Sequence, residues 1–185
     1  MEKIRCGWCE KDDLYRKYHD EEWGRPVYDD ETIFEFLVLE SFQAGLSWYT
    51  ILSKRENFRK AFDGFDYKKI ALYNEEKIEE LMNNSGIIRN RLKIKATVTN
   101  AQKFQEVQNE FGSFSVYIWG FVGGKPIDHK PQALSDVPAT IEISDVLAKD
   151  LKKRGFKFMG STVVYAHMQA TGMVNDHIES CFIRK

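Results

Sequence analysis

Cysteine and histidine are scarce in this chain, with three of one and four of the other. Yet His177 and Cys181 stand four residues apart in "GMVNDHIESCF", behind Asn175, which reads as a helix cap. On a helix that spacing puts both side chains on one face, within reach of a single ion. A closed tetrahedral site needs two further ligands. The other end of the chain offers Cys6, Cys9 and His19. Cys6-x-x-Cys9 has zinc half-site spacing and on that ground alone pairs with His177 and Cys181; the rival pair is Cys6 with His19. Either set, two thiolates and two imidazoles, suits Zn²⁺. Either would staple the N-terminal arm to the C-terminal helix and leave no position for water, so the metal would be structural. The plain alternative is that these residues never meet. His167, beside Val163, Val164 and Ala170, reads as a core or surface histidine, and His129 as an incidental loop residue.

A second feature is a carboxylate where none should be. In "ETIFEFLVLESFQAGLSW", Ile33, Phe36, Leu37 and Glu40 recur at i, i+3, i+4 and i+7, so a glutamate occupies the apolar stripe of a helix. A charge buried there without compensation is expensive. Glu40 therefore either escapes at the helix end or lines a pocket. Gly45 permits a tight turn just beyond it, Leu46 would stand exposed at the tip, and Trp48 opens the next helix. Trp8, Tyr15, Tyr18 and Trp23 crowd the N-terminal arm. An acid among aromatic rings is what a flat, cationic heterocycle needs: stacking, cation–π attraction and a hydrogen-bond acceptor.

Net charge is −1 and gives no global sign of a nucleic-acid partner, but the cations are clustered. Arg89, Arg91, Lys93, Lys95 and Lys103 lie in an acid-free run; Lys152, Lys153, Arg154 and Lys157 form a second group; Lys54, Arg55, Arg59 and Lys60 a third. Local patches can hold a phosphate backbone even in a neutral protein, although solvated helix faces are the ordinary explanation of such runs. "LMNNSGIIRNRLKIK" joins two helical patterns through Ser85-Gly86 and opens the second with free amides beside Arg89 and Arg91, a phosphate-binding arrangement. The simple alternative is an αα-turn with solvated charges.

The elements that must position these residues are helical. Asp30, Ser47, Asn74 and Ser144 are the expected caps of four helices, a long one follows Gly86, and a last one spans Ser161 to Thr171 before Gly172. Loops are expected near 20–30, 63–73 and 122–142, with "FVGGKPI" at most a small turn. At 185 residues the chain can form one ample core or two small lobes sharing it. "MEKIRCGWCE" has no signal-peptide run, no segment resembles a membrane span, and the odd cysteine count is a poor disulfide framework. A cytoplasmic monomer is the expectation.

Six blocks in order, "RCGW" (5–8), "YHDEEWG" (18–24), "LESFQAGLSW" (39–48), "GIIRNRLKI" (86–94), "KKRGFKFMG" (152–160) and "GMVNDHIESC" (172–181), resemble the DNA-3-methyladenine glycosylase I family of the helix-hairpin-helix superfamily. The resemblance implies a mainly α, helix-hairpin-helix DNA glycosylase fold. It would comprise a helical lobe over 28–112 and a zinc-binding lobe built from 1–27 and 113–185. It implies one structural zinc held by Cys6, His19, His177 and Cys181, with Cys9 a bystander. It also implies that Glu40, Tyr18 and Trp48 bind the excised base, with Trp8 and Tyr15 nearby, and that Glu40 is the candidate catalytic group. Gln43 and Leu46 correspond to the loop that enters the duplex, and Gly86, Arg89 and Arg91 to the backbone contact. The implied substrate is alkylated double-stranded DNA and the product free 3-methyladenine. Many superfamily members carry G-x-G in the hairpin and a catalytic aspartate soon after; here the turn is "SGII", and no aspartate occurs between Asp66 and Asp128. The rival readings are a zinc hydrolase using His177 and Cys181, and a non-catalytic DNA-binding module with structural zinc.

Overall fold

The computed structural model describes residues 3–184. Nine α-helices among them carry the fold: α1 (Asp13–Glu21), α2 (Asp30–Gln43), α3 (Trp48–Ala61), α4 (Tyr67–Ile70), α5 (Glu75–Asn83), α6 (Arg91–Phe111), α7 (Phe114–Gly120), α8 (Glu142–Lys153) and α9 (Ser161–Ala170). Two short strands, β1 (Ile127–Asp128) and β2 (Val174–Asn175), pair in parallel. No helix among the described residues is long and apolar enough to cross a membrane.

The central element is α2. Nine of its fourteen residues are buried, Phe34, Val38, Leu39 and Phe42 as well as the stripe that periodicity identifies. A helix apolar nearly all round is a core helix, and α2 packs against α3, α6 and α9. One apolar core runs through both expected lobes: Phe34 meets Phe104 edge-on at 5.1 Å, and Phe104 stacks on Phe114 at 4.1 Å.

Ser47 and Asn74 cap α3 and α5 as expected, through Thr50 N and Lys77 N. Three boundaries differ. Asp29, not Asp30, caps α2, because the Asp30 carboxylate is taken by the free amides of Phe114 and Ser115 at the start of α7. Ser144 lies buried in the first turn of α8, where its hydroxyl accepts from Ile141 N at 2.9 Å. And α6 starts at Arg91 under an Asn90 cap, not directly after Gly86. The region 63–73 holds a 3₁₀ turn and α4, the latter capped by Asp66.

The C-terminal segment departs most. His177 and Cys181 are not on a helix, and Asn175 caps none. Strand β2 instead extends the chain after α9, anchored by Ile127 N donating to Met173 O at 2.9 Å. Asn175 Oδ1 then accepts from His177 N at 3.2 Å, and Cys181 N donates to Ile178 O at 2.9 Å, giving consecutive turns. The four-residue spacing brings both ligand atoms to one side by a turn, not by a helical face.

Gly172 makes this possible. It has φ +67°, and a Cβ there would lie 2.3 Å from the carbonyl carbon of Arg25. The N-terminal arm crosses the end of α9 at this point, with Gly24 N and Val27 N bonded to Gln169 O and Thr171 O, each at 3.0 Å. Gly172→Ala should therefore destabilise the protein by about 2 kcal/mol or more, since strained backbone and backbone overlap coincide. Urea unfolding would show it as a lowered midpoint; an unchanged midpoint would mean the arm is not pinned there.

Candidate functional site

A cavity of about 380 Å³ opens where α1, α2, α3 and α9 converge, lined by Trp8, Tyr15, Tyr18, Trp23, Glu40, Gln43, Trp48, Leu134, Val137, Ala166 and Gln169. Every base-binding candidate named from the sequence is in that lining. Asp12 caps α1 through Tyr15 N at 3.0 Å and so fixes where Tyr15 and Tyr18, three residues apart, face the cavity. Glu40 comes from the last turn of α2. It is only 3% exposed, and its Oε2 is buried without a partner. Burial pushes its pKa up to about 8. The same burial, with the Glu40 charge nearby, raises Tyr18 well above the ordinary phenol value.

The rings form a continuous wall. Trp8 meets Tyr15 at 4.9 Å and Trp23 at 5.0 Å, and Tyr18 meets Trp48 at 5.4 Å, centroid to centroid. Trp48 Nε1 is buried and unpartnered, as is Glu40 Oε2. Unpaired buried polar atoms are rare and call for an explanation. Here two of them border one aromatic cavity, which is the expected state of a site that awaits a polar, planar ligand.

The α2–α3 turn runs along the same edge. Gly45 has φ +83° and leaves Leu46 40% exposed at the tip, as the sequence suggested. Lys93, which composition alone puts in a basic patch, is instead 6% exposed and donates to Phe42 O at 2.9 Å and Ala44 O at 2.7 Å. It thus satisfies carbonyls at the end of α2 that have no intrahelical partner and fixes the turn. The available signal was its register: Lys93, Thr97, Asn100 and Phe104 share one buried face of α6.

On the far side of α1, Cys6, His19, His177 and Cys181 bring one ligand atom each to within 4.8 Å of one another, all buried. This resolves the pairing in favour of Cys6 with His19; Cys9 turns away and donates to Cys6 O. Sulfur-to-nitrogen separations are 3.6 Å for Cys6–His177, Cys181–His19 and Cys181–His177. A tetrahedron with Zn–S near ~2.3 Å and Zn–N near ~2.0 Å has S···N edges of about 3.6 Å. The outward ring nitrogens are also held, His19 Nδ1 by Asp20 at 2.8 Å and His177 Nε2 by Trp23 O at 3.0 Å. Such partners fix the tautomer that presents the other nitrogen to a metal. Burial lowers His177 to about 4 and lowers His19 as well, which favours the neutral imidazole a metal ligand requires. Arg5 in turn grips Asp20 with three hydrogen bonds.

The basic clusters are less free than their composition suggests. Arg91 is paired with Glu79 and Glu75, and Lys95 with Glu75. Buried Arg55 bridges Glu22 and Glu35, and Arg154 binds Glu110 and Asp150. Arg89 is exposed beside the 84–90 turn, where Asn84 Oδ1 accepts from Gly86 N at 2.9 Å. A second helical hairpin, α8–α9, was not singled out from the sequence. Its connection holds Gly155 at φ +95°, and a hollow of about 630 Å³ there is lined by Lys149, Lys152 and Lys157. No side chain caps the N-terminus of α9.

The methyladenine glycosylase family matches residues 8–185. The DNA-3-methyladenine glycosylase 1 of Escherichia coli strain K12 is 47% identical over 177 residues, 96% of this chain and 95% of that protein. A crystal structure of 3-methyladenine DNA glycosylase I superposes with a TM-score of 0.94 at 49% identity, over 97% of this chain and 98% of that one. A variant of 3-methyladenine DNA glycosylase I in complex with 3-methyladenine gives a TM-score of 0.95 at 38% identity, over 98% and 97%. The chain belongs to the methyladenine glycosylase family.

Proposed function

We propose that this protein removes 3-methyladenine from alkylated double-stranded DNA by hydrolysing its N-glycosidic bond, in the cavity built around Glu40. The observation that carries the reading is the buried, unpartnered Glu40 carboxyl among aromatic rings. It is supported by family membership and by the relative that binds 3-methyladenine.

An adenine methylated at N3 is cationic in DNA, and its glycosidic bond is already weakened. The protein then has mainly to select and position. Trp48 stacks on the flipped ring, Tyr18 orients it, and Trp8 and Tyr15 close the wall. Glu40, neutral while the cavity is empty, gives up its proton when a cationic base enters and accepts from the base edge. Carboxylate and cation are then both desolvated, where their attraction is largest. Normal adenine is uncharged and gains none of this. Unstacking costs a few kcal/mol, least for damaged bases, and Leu46 with Gln43 fills the vacated place in the duplex. Water attacks the sugar carbon as the neutral methylated base departs with the bond electrons.

Backbone contact falls to the helical hairpins. Gly86 and Arg89 present the 84–90 turn, with Arg91 restrained by its glutamates. The α8–α9 connection, with its lysines and uncapped helix N-terminus, is the stronger phosphate site. Both fit a helix-hairpin-helix reading. Cys6, His19, His177 and Cys181 fit a closed structural zinc site that ties the chain ends together. When bound, the metal supplies cross-linking and no open coordination position.

Duplex DNA treated with a methylating agent provides the test. The protein should release 3-methyladenine, identified by chromatography, and Glu40→Gln should slow release roughly tenfold to a hundredfold while metal content and folding stay intact. A protein that binds this DNA but releases no base would be a binding module instead. Cys181→Ala should lower the zinc-to-protein ratio and the Tm first, with release failing only as the fold does; full zinc retention would remove Cys181 from the ligand set.

A further inference from the structure

Gln169 lines the same cavity as Glu40 and is not among the residues proposed to hold the base. Its amide has one orientation open to it. Nε2 donates to Asp176 Oδ2 at 2.8 Å, and that oxygen also accepts from the Tyr165 hydroxyl, so it faces Gln169 as an acceptor. The amide therefore cannot turn round, and its carbonyl Oε1 is the atom left for the cavity. Asp176 is fixed in turn. It is 1% exposed; Oδ2 also accepts from the Tyr165 hydroxyl at 2.5 Å, and Oδ1 pairs with His129 Nδ1 at 2.7 Å. The Gln169 backbone is held as well, its carbonyl accepting from Gly24 N at 3.0 Å. The result is a rigid acceptor on α9, which packs directly against the helix that carries Glu40.

We infer that Gln169 is the residue that distinguishes amino-purines from oxo-purines, its Oε1 accepting a hydrogen bond from the exocyclic amine of the flipped base. This rests on the base-pocket reading of the cavity. An adenine-type base carries an NH₂ group at C6, and a guanine-type base carries a carbonyl oxygen there. Facing Oε1, the amine pairs, whereas the oxygen sets acceptor against acceptor and leaves both desolvated and unpaired. Glu40 cannot draw this distinction alone. A carboxyl that holds or releases its proton can adapt to either base edge. Gln169 has no such freedom, because Asp176 locks its polarity.

Methylated duplex DNA contains both 3-methyladenine and 3-methylguanine, so one substrate preparation reports both. Release of each is measured for the wild type, Gln169→Leu and Gln169→Met, with zinc content and Tm alongside. The expected result is a loss of about tenfold in kcat/KM for 3-methyladenine, with 3-methylguanine release unchanged or faster and zinc content and Tm as in the wild type. Selectivity then falls by tenfold or more. Binding of the free bases, followed by tryptophan fluorescence, should show the same change in ratio. An unchanged ratio, including parallel loss of both activities, would overturn the assignment. Failure of both variants to fold would make Gln169 a structural residue and overturn it too. No release of either base by the wild type would instead sink the glycosylase reading on which the inference rests.

Discussion

The structure turns on one carboxyl group kept from water without a partner. An isolated carboxylate in an apolar interior is too costly to persist, so the group neutralises. For Glu40 that means holding its proton up to about pH 8. The unfolded chain releases the same proton near the ordinary carboxylate value, so folding takes up a proton across the interval between. In that interval Glu40 makes the folded state less stable as pH rises. A fold retains such a group when a ligand relieves it, and a cationic planar base does so with charge as well as hydrogen bonds. An uncharged base cannot, which makes the energetic penalty itself a source of selectivity.

The cavity exists only because the two ends of the chain meet. Trp8, Tyr15, Tyr18 and Trp23 come from the first two dozen residues, and Ala166 and Gln169 from α9. Tyr18 and His19 are neighbours on α1, turned about 100° apart by the helix, so one faces the cavity and the other the Cys/His cluster. A metal held by that cluster would fix the helix that supplies the pocket wall. On the other side, Lys93 ties α6 to the end of α2 and holds the turn that carries Leu46. Both devices position the site without touching its ligand.

Much of this was legible in the sequence because it rests on local rules. Caps at Ser47 and Asn74, the turn at Gly45 and the misplaced acid at Glu40 follow from spacing and residue type, and each stands where those rules put it. What failed depended on distant partners. Asp30 reads as a cap until the amides of α7, more than eighty residues on, claim its carboxylate. His177 and Cys181 read as a helical pair until β2 finds β1. Lys93, Arg55 and Arg91 read as surface charge, and only the packed structure shows the carbonyls and glutamates that hold them. The gap between Cys6–Cys9 and Cys6–His19 was likewise a tertiary question, closed by the direction in which the Cys9 thiol points.

The most direct measurement is the ionisation of Glu40 itself, followed by infrared difference spectroscopy of its carboxylic C=O stretch against pH, with Glu40→Gln identifying the band. The Glu40 carboxyl should be protonated in the free protein, titrate with a midpoint near 8, and lose its proton when cationic methylated base binds at lower pH. A midpoint in the ordinary carboxylate range, unmoved by the base, would contradict this.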